Sequence, residues 1–96
     1  MASSMDGLTE GRMVHYVLPD SGNRSPGEHR PATVVKVWRA AADPSGPDKG
    51  CCNLQVFTDF SNDFSSGHGS DGRLWATSVV YDADKKPGTW HWIEQA

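Results

Sequence analysis

The chain has 96 residues, a length that builds one core and one domain. Its composition is polar, with 36% hydrophobic and 22% charged residues, but four Trp, three Phe and two Tyr supply the large apolar side chains of a compact core, which excludes global disorder. A net charge of -3 excludes whole-molecule attraction to DNA, RNA or an anionic membrane, so any nucleic-acid contact requires a local basic patch.

Residues 1–10 are small, polar and aperiodic, and read as a flexible tail ahead of a single domain over 11–96. The opening "MASSMDGLTEG" lacks the basic and apolar segments of a secretion signal, and no apolar run approaches the roughly 18 residues that span a bilayer. The expectation is a soluble, cytoplasmic protein with no membrane partner. "RMVHYVL" (12–18) is rich in strand formers and stops at Pro19, after which "PDSGNRSPGEHRP" (19–31), with three prolines and two glycines, reads as a long loop. "ATVVKVWR" (32–39) carries β-branched residues at Thr33, Val34, Val35 and Val37 and is the clearest strand. "AAADPSGPDKG" (40–50) is a second loop, because three alanines are too few to start a helix.

"CNLQVFT" (52–58) alternates as a half-buried strand does, with Leu54 and Val56 on one face and Asn53, Gln55 and Phe57 on the other. The stretch "TDFSNDFSSGHGSDGRLW" (58–75) is a polar, glycine-rich connection leading into a fourth strand, "RLWATSVVY" (73–81). "DADKKPG" (82–88) is a turn and "TWHWI" (89–93) a fifth strand; no window has a helical period and no segment repeats. Five short strands predict an all-β fold, a small antiparallel SH3-like barrel with long loops, with a five-stranded OB-type barrel as the alternative.

The succession "GRMVHYVL", "RPATVVKVW", "NLQVFTD", "LWATSVVYD" and "GTWHW", spanning about residues 11–93, resembles small uncharacterised proteins of tailed bacteriophages and prophages. That resemblance implies a viral or prophage origin, a host-cell or virion location and an SH3-like barrel. It carries over no catalytic residue.

The 58–75 stretch gathers the densest set of polar side chains. Asp59, Asp63 and Asp71 are hard oxygen donors, but the D-x-[DN]-x-[DN]-G calcium spacing is missing, and His68 stands alone between Gly67 and Gly69. These residues read as turn chemistry, so replacing Asp63, His68 and Asp71 together is expected to leave stability nearly unchanged. At least one of Phe60 and Phe64 is expected to tuck onto the body of the protein. His15, His29 and His91 are scattered along the chain, with no Ser or Cys at a spacing that declares a nucleophile, and read as separate strand or loop residues. Cys51 and Cys52 are adjacent, a spacing that strains a disulfide, and are expected to stay as two thiols. No catalytic set, metal ligand or cofactor is assigned.

The candidate binding surface is aromatic and basic: Tyr16, Arg30, Lys36, Trp38, Arg39, Phe57, Trp90 and Trp92. Alternation puts Trp90 and Trp92 on one strand face, where they either close the core or form a stacking platform. The leading expectation is a non-enzymatic interaction module, a bacteriophage accessory or structural protein that binds a phage or host protein. Single-stranded nucleic-acid binding through Trp38 and its basic neighbours is the alternative, and a metal-assisted hydrolase centred on residues 59–71 is the third.

Overall fold

Five runs of β-branched and aromatic residues become five strands in the computed structural model, which describes residues 7–38 and 50–93. They are β1 (Met13–Val17), β2 (His29–Val37), β3 (Cys52–Phe57), β4 (Arg73–Val79) and β5 (Trp90–His91). The strands form one antiparallel sheet in the order β4-β3-β2-β1-β5. The only helical element among the described residues is a three-residue 3-10 turn, Phe60–Asn62.

The fold is therefore all-β, as the sequence predicts, with its five strands in one antiparallel sheet that is not closed among the described residues. No ladder joins β4 to β5 among the described residues; a single parallel bridge between Tyr81 and Trp90 links the chain leaving β4 to β5, with Trp90 N–H donating to the Val80 carbonyl at 3.1 Å. No helix among the described residues is long and apolar enough to cross a membrane.

The sequence places the start of the second strand at residue 32, after Pro31, and the structure starts it at His29. Pro31 pairs with His15 of β1, while the β2–β3 pairing begins one residue later, at Ala32. The N–H that proline lacks is thus not needed by that ladder, and the strand tolerates it. This extension by three residues matters below, because it gives His29 a strand register.

Alternation divides the sheet into two faces. One face carries Val14, Tyr16, Ala32, Val34, Cys52, Leu54, Val56 and Trp90, all in the buried core. Leu8, Leu18 and Val79 complete the cluster, and Phe64, Tyr81 and Trp92 pack against it. Leu8 belongs to the segment assigned by the sequence to a loose tail, yet residues 7–10 lie on the sheet: the Glu10 carboxylate accepts the Val37 N–H at 3.0 Å, and the following Gly11 donates its N–H to the Val34 carbonyl at 2.7 Å. Trp90 is wholly buried, donates its indole N–H to the Gly50 carbonyl at 2.7 Å and meets Trp92 edge to face at 4.9 Å.

Asn53 marks the place where the pairing slips. The β2–β3 register shifts between Val34 and Lys36, the β3–β4 register shifts between Cys52 and Leu54, and the Asn53 amide oxygen accepts from both Trp38 Nε1 (3.1 Å) and Ser78 N–H (2.9 Å). One side chain thus bridges the two irregular stretches and satisfies donors that the ladders leave out.

The 58–75 connection is more than turn chemistry. Asp63 is fully buried and its carboxylate accepts four hydrogen bonds: Arg30 Nε and Nη2, both at 2.7 Å, Ser25 Oγ at 2.8 Å and Asp59 N–H at 2.7 Å. The expectation that Asp63 could be replaced without consequence is therefore overturned, because a carboxylate buried against a bidentate guanidinium is an anchor that a polar turn residue is not. His68 contributes less: its Nε2 accepts the N–H of Trp75 at 2.8 Å, which occupies a donor on edge strand β4. Phe64 packs on the core while Phe60 stays 61% exposed, so one of the two loop aromatics tucks in.

Cys51 and Cys52 form no disulfide. Burial, with a smaller contribution from the neighbouring Cys51, pushes the Cys52 thiol up to about 12, so it stays protonated and unreactive at ordinary pH. Alkylation of the native protein at pH 8 should leave Cys52 untouched, and unfolding should expose both thiols. Fast modification of Cys52 in the native state, read by mass spectrometry of the peptides, would show that it is not enclosed.

Candidate metal centre

The outer face of the sheet holds an arrangement that the linear spacing conceals. In β1, residues 13, 15 and 17 alternate onto this face. His15 stands opposite His91 of β5, and Val17 stands opposite His29 of β2. Three adjacent strands, β5, β1 and β2, thus each present one histidine on the same face. Val17 is buried but does not belong to the core cluster, in keeping with its place between strands on this second face.

The three imidazoles meet. Ring centroids are 4.6 Å apart for His29 and His91, 5.7 Å for His15 and His91, and 6.3 Å for His15 and His29. One ring nitrogen from each lies within 4.8 Å of the others. His91 is buried, while His15 and His29 are half-buried. A tetrahedral zinc ion with bonds of roughly 2.0–2.1 Å separates its nitrogen ligands by about 3.4 Å. The observed upper separation of 4.8 Å exceeds that spacing, so ligation requires the three rings to draw together.

Neutral imidazole is a ligand for Zn, Cu and Ni, so three converging rings form a nitrogen donor set of the kind these ions take. Directly opposed residues of an antiparallel pair have Cβ atoms about 5 Å apart, with diagonal neighbours a few Å further. His15 and His91 are an opposed pair, and His29, two residues from the partner of His15, is its diagonal neighbour. The sheet register itself brings the ligands together.

The sequence-predicted binding surface is divided by the same alternation. Tyr16 and Trp90 are core residues, 6% and 0% exposed, and Trp92 is half-buried beneath the Arg12 guanidinium, 5.0 Å from its ring centroid. Arg30 points to the 58–72 connection and is held by Asp63. Lys36 lies over the Trp38 ring at 4.9 Å, and Trp38 and Phe57 are exposed. Arg39 lies outside the described residues. An open depression of about 520 Å³ is lined by Glu28, Arg30, Pro31, Phe57, Thr58 and Asp59. Its two carboxylates, and an arginine already engaged by Asp63, do not make a phosphate-binding groove. The structure therefore does not assemble Arg30, Lys36 and Trp38 into one basic aromatic track.

The linear sequence presents His15, His29 and His91 as unrelated; the structure corrects this by bringing them together. The signal present in the sequence is the alternation of "MVHYV" and "TWHW", which puts His15 opposite the Val14/Tyr16 face and His91 opposite Trp90. His29 carries no such signal, since it sits in a stretch with the composition of a proline-rich loop. What fold and site define together is a small all-β chain with a three-histidine cluster on its outer sheet face. Comparison with protein-family models, curated proteins and solved structures finds no match, so the functional reading rests on the geometry of the site.

Proposed function

We propose that this protein binds a divalent first-row transition metal, zinc being the reference case, through His15, His29 and His91. The observation that carries the reading is the convergence of three ring nitrogens within 4.8 Å of one another from three neighbouring strands. Three histidines with no charged ligand form a set that holds zinc in known enzymes. Equilibrium dialysis or calorimetric titration of the full chain with Zn²⁺ should give one bound ion per chain, with binding sharply weakened in His15→Ala, His29→Ala and His91→Ala. Undiminished binding in all three variants would place the metal elsewhere and end the reading.

A second reading, recognition of a protein partner, is favoured by a specific feature of the same face. Met13, Val35, Trp38, Phe57 and Trp75 are between 37% and 45% exposed, and surface apolar groupings of this kind mark interaction sites. The Tyr81–Trp90 bridge supports the finer reading of the sheet as an incompletely closed SH3-like barrel. On this reading, a phage or host protein captured by the wild-type chain is lost from a Phe57→Ser/Trp75→Ser variant that keeps its melting temperature. Equal capture by the variant would exclude this face.

A further inference from the structure

We infer that a metal ion held by His15, His29 and His91 keeps a coordination position open toward solvent, occupied by water and exchangeable for a small monoanion. The inference rests on the metal reading above and deepens it from binding to ligand exchange.

Three observations carry it. All three ligands rise from one face of one sheet, on the neighbouring strands β5, β1 and β2, so they approach an ion from the sheet side and leave its far side to other ligands. Among the described residues no fourth His, Cys, Asp or Glu joins the group. His15 and His29 are only half-buried, while His91 is buried, so two of the three ligand residues keep contact with solvent.

The chemistry follows from charge. A structural zinc site is closed by four protein ligands, and its thiolates neutralise the ion, whereas three imidazoles neutralise nothing. The bound ion retains its full 2+ charge, draws an anion to the open position and acidifies a water bound there. Azide is a suitable probe, because it is a small monoanion that ligates through nitrogen and needs no pocket of its own.

Cobalt(II) makes the site visible, since its visible absorption depends on coordination number and ligand type. The full chain is loaded with one equivalent of Co²⁺ and titrated with azide, with His91→Ala as the control. The expected result is a protein-dependent cobalt spectrum that changes saturably on adding azide, with one azide per metal, and no such spectrum in His91→Ala. A wild-type cobalt spectrum that azide leaves unaltered would mean that the fourth position is closed by the protein. That result would overturn this inference and leave the metal reading standing. Absence of any protein-dependent cobalt spectrum in the wild type would overturn both.

Discussion

Replacing Asp63 with alanine is expected to destabilise the fold by about 3 kcal/mol, near the lower end of what breaking a buried ion pair costs. Arg30 is 19% exposed at its side chain and keeps some access to water, which argues for that lower end, whereas Asp63 has none. The substitution removes the acceptor of four hydrogen bonds at once, including the one from Ser25, and so weakens the tie between the 19–28 and 58–72 connections, leaving the main-chain bond from Arg24 N–H to the Asp63 carbonyl at 2.6 Å. In a domain of this size the loss corresponds to a fall in Tm on the order of 10 °C or more.

The same carboxylate sets a pH dependence whose sign is fixed. The Arg30 hydrogen bonds first, then those from Asp59 N–H and Ser25, hold the Asp63 carboxyl well below the usual carboxylate range against the opposing effect of burial. A group depressed in the folded state contributes stability that is fully present above its unfolded value, near 3.9, and is lost as the pH falls below that toward the folded value. Wild type should therefore lose stability steeply below about pH 4, and Asp63→Ala should show a shallower decline over the same interval. Chemical denaturation at a series of pH values measures both; parallel curves, or a variant within about 0.5 kcal/mol of wild type, would show that the pair contributes little.

Saturating Zn²⁺ is expected to raise the melting temperature, because a ligand that binds the folded chain and not the unfolded one stabilises it by mass action, about 4 kcal/mol at a thousandfold excess over Kd. The site has a structural reason to respond. β5 is two residues long, and its pairing to β1 consists of His15 with His91 and Tyr16 with Trp90. An ion shared by His91, His15 and His29 would fasten that short strand across β1 to β2. Imidazole ligates only when deprotonated, so protons compete with the metal and the shift should be smaller in acid than at neutral pH. His29→Ala should abolish the shift while changing the melting temperature of the metal-free chain only modestly, since His29 is half-buried. A zinc shift that survives in His29→Ala would exclude this cluster as its source.

Much of the sheet is legible in the sequence because the strands are written in β-branched residues between glycines and prolines. The runs at 12–18, 32–39, 52–58, 73–81 and 89–93 each contain an observed strand or most of one. Closure is not legible: whether five strands meet depends on the pairing of the chain after β4 with β5, and that reduces here to the Tyr81–Trp90 bridge. The site is half legible. Strand alternation already separates His15 and His91 from the core, but two residues so far apart in the chain acquire meaning only through register. His29 is hidden by Pro31, whose usual role as a strand breaker is suspended where the neighbouring ladder has not yet begun. Asp63 is concealed for a related reason. Among Ser, Asn and Gly it has the composition of a turn, and nothing local reveals that Arg30, 33 residues earlier, lies beneath it.

X-ray absorption at the zinc edge on the protein loaded with one equivalent of Zn²⁺ tests the central claim most directly. The three-histidine centre predicts a shell of nitrogen and oxygen ligands at about 2.0–2.1 Å with the outer-shell scattering of three imidazole rings. That scattering should fall to two rings or fewer in His15→Ala. A zinc shell without imidazole scattering, or one identical in wild type and variant, would contradict it.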